Sequence, residues 1–297
     1  MALQFEAVND RSCMLGEGPV YDDRRNALWY CDIVERLVLC FDLKTRKTQS
    51  WTLPSEVASI GMARSGRLVM ALRHEVGMFD PADGGFSRIA EIEAERGPAT
   101  RLNDGKVGPD GAFWVGTMDD SDRPVKEPIA ALYRVTADGK VERKIDKVVI
   151  SNGLAFSPDR KRMFHSDSRG RWIDRWDFDP RTGAISNRTR IVADIEDATG
   201  SPDGAAADME GCYWSAGVSA ARLNRFSADG KLLASYPVPV AAPTMPCFAG
   251  ADMKTLFVTS LRQGRAPEML AKFPLTGTLI VARAEVAGVP VERFADL

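Results

Sequence analysis

Histidine is scarce in this chain. Only His74 and His165 occur in 297 residues, so a metal site built on several imidazoles is excluded by count. His165 falls within an expected second strand, where a packed and satisfied histidine is the ordinary outcome. A G-x-S-x-G elbow is missing and the serines have no obvious His and Asp partners, which argues against a serine hydrolase. Cysteine is also sparse and odd in number. Cys13, Cys31, Cys40, Cys212 and Cys247 include no C-x-x-C pair, so neither a disulfide framework nor a thiolate zinc site is indicated, and reduced cytoplasmic thiols are expected. There is no basic excess. Lys and Arg total 39 against 41 Asp and Glu, a formal charge of -2, which leaves no electrostatic footprint for nucleic acid and no polybasic anchor. The opening "MALQFEAVND" has no cationic start or apolar core of a leader, and no apolar run is long enough to span a bilayer, so export and membrane partners are not expected. "GKVGPDG" lacks the spacing of a phosphate-binding P-loop. The expected partner is a small soluble molecule, and the expected assembly a monomer or small homo-oligomer.

What the sequence does have is a repeat. Six segments, "NALWYCD", "GRLVMAL", "GAFWVGT", "KRMFHSD", "GCYWSAG" and "KTLFVTS", share a small or charged lead and a β-prone core. Their anchors Leu28, Leu68, Phe113, Met163, Tyr213 and Leu256 lie 40, 45, 50, 50 and 43 residues apart. Intervals of that size suit one propeller blade each. Before each anchor stands a run of small residues, such as "GLAFSPD" or "GAAAD", fit for a strand crowded round a central axis. After most of them comes another apolar strand closed by Asp, Gly and Pro turn chemistry, as in "IDRWDFDPRTG". Sustained helical periodicity is absent. The expected fold is all-β: one six-bladed β-propeller domain over 1–297, with four antiparallel strands per blade. "LQFEAV" has no partner in the first blade and is expected to pair into the last one, closing the ring. Trp29, Trp114 and Trp214 recur at equivalent places and are expected in the core.

Immediately before the expected inner strands stand Glu17, Ile60, Asn103, Asn152, Asp203 and Pro246. Inner strands of a propeller run along its axis, so these six are expected at one end of one channel. Singly, "NDG", "NG" and "DG" at 103, 152 and 203 read as turn signals, and Glu17 as a surface carboxylate. Jointly, two carboxylates and two amides in a confined channel call for a cation or a hydrogen-bond donor between them. Oxygen donors select one divalent ion of the hard or borderline kind: Ca²⁺, Mg²⁺, Mn²⁺, or water-completed Zn²⁺ or Fe²⁺. Loops between second and third strands would ring the mouth. They carry Arg73 and His74, the long segment from Asp119, Arg169 and Arg171, and the insertion after Leu261. Arginines there could read an anionic group on a substrate, such as a sulfonate or carboxylate.

"LGEGPVYD", "RLNDGKVGPDGAFWVGTM", "SNGLAFSPD", "SPDGAAAD" and "PCFAGADMKTLFVTS" together resemble, in order and over nearly the whole chain, the signature segments of the regucalcin (senescence marker protein) and gluconolactonase family. That resemblance implies a six-bladed propeller with one divalent metal in its channel, held by Glu17, Asn152 and Asp203. It implies substrate contacts from Arg101 and Asn103, with a further acidic contact at Asp119 or Asp120. The implied activity is metal-dependent hydrolysis of a sugar lactone, with Asp203 as general base. Phosphotriester hydrolysis and a non-enzymatic, calcium-binding regulatory role are the alternatives. The stretch after Arg262 matches no segment of the family.

Overall fold

In the computed structural model the described residues are 3–297; the first two residues, on which the reading of the amino terminus partly rests, lie outside them. Twenty-four strands, β1 to β24 in chain order, form six four-stranded antiparallel sheets. The inner strands are β2 (Gly16–Asp22), β6 (Ser59–Met62), β10 (Thr100–Val107), β14 (Ser151–Phe156), β18 (Pro202–Ala207) and β22 (Pro243–Ala249). Each packs on the next, and β22 returns to β2, so the six sheets stand round one axis as blades. The N-terminal strand β1 (Glu6–Ser12) pairs antiparallel with β24 (Thr278–Arg283) as the outermost strand of the sixth blade. The ring is closed by the strand the sequence left without a partner.

Local chemistry explains the meanders. Second strands such as β3 (Ala27–Asp32, ALWYCD) are buried along their whole length between neighbouring blades. Their β-branched and aromatic side chains favour a pleated, packed surface. Outer strands such as β17 (Ala184–Val192, AISNRTRIV) carry mostly polar, exposed side chains. Aspartates shape the turns: Asp42 Oδ1 accepts the N–H groups of Lys44 and Thr45 at 2.9 and 2.7 Å, an arrangement that mimics a backbone turn. The core lies between blades. Trp29 packs with Ile60, Met70 and Phe79, Trp114 with Phe156 and Phe178, and Trp214 with Phe248 and Leu256. Each indole N–H keeps an aspartate partner, Asp22, Asp110 and Asp208 respectively, at 3.4, 3.1 and 2.8 Å. Burial of a polar ring edge is thereby compensated. The helices among the described residues are short, a 3₁₀ turn at Ala94–Ala99 and α1 (Pro267–Lys272). None is long and apolar enough to cross a membrane.

Five of the six inner strands share an irregularity. Pairing with the second strand slips by one residue between Glu17 and Val20, Leu102 and Gly105, Asn152 and Ala155, Pro202 and Ala205, and Pro243 and Pro246. Only β6 pairs without a slip. Two residues then stand opposite one, which is a β-bulge, a device that re-aims side chains.

Candidate active site

The bulges decide which polar residues meet. Glu17 and Asn152 are the last paired residues before their bulges, and each is followed by a glycine in the left-handed region, Gly18 (φ 55°) and Gly153 (φ 67°). Asn103 and Asp203 lie one place later, inside the bulge itself. A shift of one residue along a regular strand would turn a side chain to the other face. Here the bulge absorbs it, and all four line one cavity of about 390 Å³, together with Arg101 and Ser168.

The expectation of six equivalent positions at one channel end needs correction on two counts. First, Asn103, Asn152 and Asp203 lie within the inner strands, and "NDG", "NG" and "DG" are not hairpin turns. Second, Ile60 and Pro246 line a different, smaller cavity of about 90 Å³, formed by the far ends of the inner strands and residues 289–292. In blade six the register makes Thr244 the counterpart of Asp203, and its hydroxyl is spent on the Gly16 carbonyl at 2.6 Å.

The acids of the cavity crowd one another, with Arg101 as the positive charge that acts on both. Burial, then the proximity of Asp203 and Asp104, pushes the Glu17 carboxyl well above its usual range. Burial, then Asp104, pushes Asp203 up to about 8. Asp104 accepts from the Leu154 N–H at 3.1 Å through Oδ2, whereas its buried Oδ1 has no partner. Beneath the carboxylates, Lys106 is itself pulled down by burial and donates to the Ala205 carbonyl at 3.1 Å. Acids held this way must carry protons or face a cation. Among the described residues no three Asp, Glu, His or Cys side chains are grouped to hold a metal ion; the set that converges is two carboxylates and an amide. Two carboxylates and an amide oxygen on an open cavity nonetheless suit a hard divalent ion completed by water.

A run of hydrogen bonds, each donating in the same direction, orders the amides. Arg101 donates from a terminal guanidinium nitrogen to Asn103 Oδ1 (3.1 Å), Asn103 Nδ2 to Asn152 Oδ1 (3.0 Å), Asn152 Nδ2 to Ser168 Oγ (2.7 Å), and Ser168 Oγ to the Pro202 carbonyl (2.6 Å). Bonds aligned in this way polarise one another. Asn103 also donates to the Ser151 carbonyl at 2.9 Å. Both its amide hydrogens are therefore spent inside the protein, and of the donor and acceptor expected for a substrate only the Oδ1 acceptor is left.

The two acidic candidates after "GTM" separate cleanly. Asp119 is fully buried and builds the 119–127 loop, accepting from Ser121 Oγ (2.6 Å), the Glu127 N–H (2.7 Å) and Arg123 (3.0 Å). Burial alone would raise its pKa, but these bonds hold it down at about 2. It has no oxygen to offer a substrate. Asp120 sits behind Arg101, 3.5 Å from its Nε, and also meets Arg73 at 2.9 Å. It reaches the cavity through Arg101. Of the rim residues, His74 is tied to the carbonyls of Ile92 and Gly97, and Arg171 faces Asp194 and Asp197. Arg169 and Arg265 do line the cavity. Ser168, Asp104 and Lys106 had no signal of their own in the sequence, because their roles depend on partners 34 to 99 residues away.

Residues 15–262 match the family model described as "SMP-30/Gluconolactonase/LRE-like region". The chain belongs to this family. Among SMP-30/gluconolactonase relatives it is 36% identical over 284 residues to a 6-deoxy-6-sulfogluconolactonase of Pseudomonas putida, covering 95% of each chain. It is 33% identical over 298 residues to regucalcin of Gallus gallus, covering 99% of each. The crystal structure of a calcium-binding protein, regucalcin, from Agrobacterium tumefaciens superimposes with a TM-score of 0.92 at 27% identity, covering 99% of this chain and 98% of the other.

Proposed function

We propose that this member of the SMP-30/gluconolactonase family is a divalent-metal-dependent hydrolase that opens a sugar aldonolactone to its aldonic acid. The observation carrying the proposal is the convergence of Glu17, Asn152 and Asp203, from three blades, on one cavity in which desolvation and the proximity of Asp104 push both carboxyls toward the protonated form. The sulfogluconolactonase similarity supports the reaction type and substrate class.

Glu17, Asn152 and Asp203 would hold the ion. When bound, it would supply Lewis-acid polarisation of the lactone carbonyl, worth several kcal/mol. Asp203 is the general base: it takes a proton from a water whose oxygen attacks the carbonyl carbon. The ring C–O bond then breaks, and the same proton passes to the departing ring oxygen, leaving a hydroxyl and a carboxylic acid. Arg101 can fork donors to ring or hydroxyl oxygens of a polyol. Asp120 and Asn103 keep that guanidinium in place. The apolar walls, Leu15, Ile33, Ile150 and Val218, keep the reacting end out of bulk water. All five cysteines are free, which suits a reducing, cytoplasmic setting, and ring closure by β1 suits one domain.

A pH-indicator assay over five- and six-carbon aldonolactones, before and after chelation, tests the proposal. Turnover lost on chelation and restored by a divalent ion is expected. Tight metal binding with no lactone opened would replace it with the calcium-binding reading.

A further inference from the structure

The mouth of the cavity carries two guanidinium groups that lactone opening does not require. Arg169 lies on the loop between β15 (Arg162–Asp167) and β16 (Trp172–Asp179), and Arg265 on the segment between Leu261 and α1; both line the cavity that holds Glu17 and Asp203. Their backbones are anchored, Arg169 N–H to Asp167 Oδ1 at 3.0 Å and Arg265 N–H to the Arg262 carbonyl at 3.2 Å. Among the described residues neither side chain has a hydrogen-bond or ion-pair partner, and both are exposed. Their neighbours on the rim differ. Arg73 is matched by Glu56 and Asp120, Arg123 by Asp119 and Glu127, Arg171 by Asp194 and Asp197, and Arg262 by the Thr276 carbonyl. Two exposed guanidinium groups with no acidic partner among the described residues, on the wall of one cavity, leave their donors free for an anion.

The rest of the lining says where that anion would be. The acids lining the cavity, Glu17 and Asp203, are carried by inner strands, whereas the two arginines stand on exposed loops; Ile33, Val218 and Leu261 line the same cavity. An anion would be repelled by the acids and welcomed by the arginines. We propose that Arg169 and Arg265 form an oxyanion-recognising subsite, and that the substrate is an aldonolactone bearing a sulfonate, phosphate or carboxylate on the carbon farthest from its scissile carbonyl. A guanidinium fork matches two oxygens of such a group at once. This deepens the lactonase reading and rests on it.

The test compares glucono-lactone with the same lactone carrying a 6-sulfonate or a 6-phosphate, in the native protein and in Arg169→Gln, Arg265→Gln and the double variant. The expected result is a preference for one of the anionic lactones that falls by about 10- to 100-fold in kcat/KM ratio for each arginine removed, and that weakens as salt rises. The sulfonate and phosphate arms tell which oxyanion is read. Calorimetric binding of 6-phosphogluconate, native against double variant, reads the subsite without any catalysis. An unchanged anionic-to-neutral ratio in the double variant, or equal turnover of charged and neutral lactones by the native protein, overturns the subsite. Hydrolysis of no lactone at all, with the aldonate still bound through the arginines, overturns the lactonase reading and leaves the subsite standing.

Discussion

Asn152 Nδ2 donates to Ser168 Oγ at 2.7 Å, and Ser168 has already spent its single proton on the Pro202 carbonyl 2.6 Å away. The serine oxygen can therefore only accept, which fixes the amide of Asn152 with its NH₂ toward Ser168 and its Oδ1 toward Asn103 and the cavity. On the proposed reading, the oxygen offered to a cation is set by a residue that is not itself a proposed ligand. Ser168→Ala should lower divalent-metal affinity about 10- to 100-fold, the usual scale for a ligand's supporting bond, and Ser168→Thr should recover most of it. Isothermal calorimetry on the metal-free protein reads this directly, and an unchanged melting temperature separates positioning from folding.

Asp203→Asn keeps shape and removes the proposed base. Turnover should drop by about 10²- to 10⁴-fold, the range of a general base. Because burial and Asp104 already disfavour the Asp203 carboxylate, the chelated variant should melt no lower than the chelated native protein. A variant with full rate would remove Asp203 from the mechanism.

Chelation should lower the melting temperature at neutral pH as well as stop turnover. An ion present at a hundred times its dissociation constant stabilises the folded state by about 2.7 kcal/mol. Melting curves across a titration of Ca²⁺, Mn²⁺, Mg²⁺ or Zn²⁺ should rise with the logarithm of concentration. A flat series for every ion would contradict the cation site.

His165 gives a pH dependence that belongs to the fold. Its Nε2 meets Ser151 Oγ at 2.8 Å and its Nδ1 is buried without a partner; burial, then the Arg188 charge, pulls its pKa down to about 3. The unfolded histidine binds a proton near the ordinary value of about 6.5, so between about pH 6.5 and 3 the unfolded chain holds more protons than the folded one. Stability from this group is complete above that window and is lost as pH falls through it, at up to about 1.4 kcal/mol per pH unit. Denaturant titrations of native and His165→Gln protein should differ in slope against pH there, and a common slope would refute the assignment.

Gly153 has φ of 67° in the bulge that follows Asn152, and a Cβ there would collide with the hydroxyls of Tyr213 and Ser166. Gly153→Ala should destabilise the protein by about 1 to 3 kcal/mol and weaken metal binding in the same variant, measured by urea unfolding and calorimetry.

Much of this was legible in the chain. A blade is a local meander, so the spacing of Leu28, Leu68, Phe113, Met163, Tyr213 and Leu256 announces each one, and the unpaired first strand announces the closure found between β1 and β24. Glu17, Asn103, Asn152 and Asp203 were legible as a set because repetition superimposes them. Their offset was not. Whether Asn103 and Asn152 occupy one position or adjacent ones depends on where a bulge falls, and "NDG" and "SNG" look alike as turn signals. Ile60 and Pro246 were misplaced for the same reason, since β6 has no bulge and that of β22 brings Thr244 to the counterpart of Asp203. Asp119 and Asp120 are neighbours with opposite fates, one consumed by Ser121 and Arg123, the other by Arg73 and Arg101. Only the path of the following loop distinguishes them.

The first blade leans on the last through the Thr244 hydroxyl on the Gly16 carbonyl, and β1 completes the sheet of β24, so the proposed site depends on closure of the ring. A nascent chain that has emerged as far as Asp203 owns every proposed ligand, yet β22, which packs against the strand carrying Glu17, is still to be made. If the proposed ion binds there, its capture is expected to be a late event, following synthesis of the sixth blade.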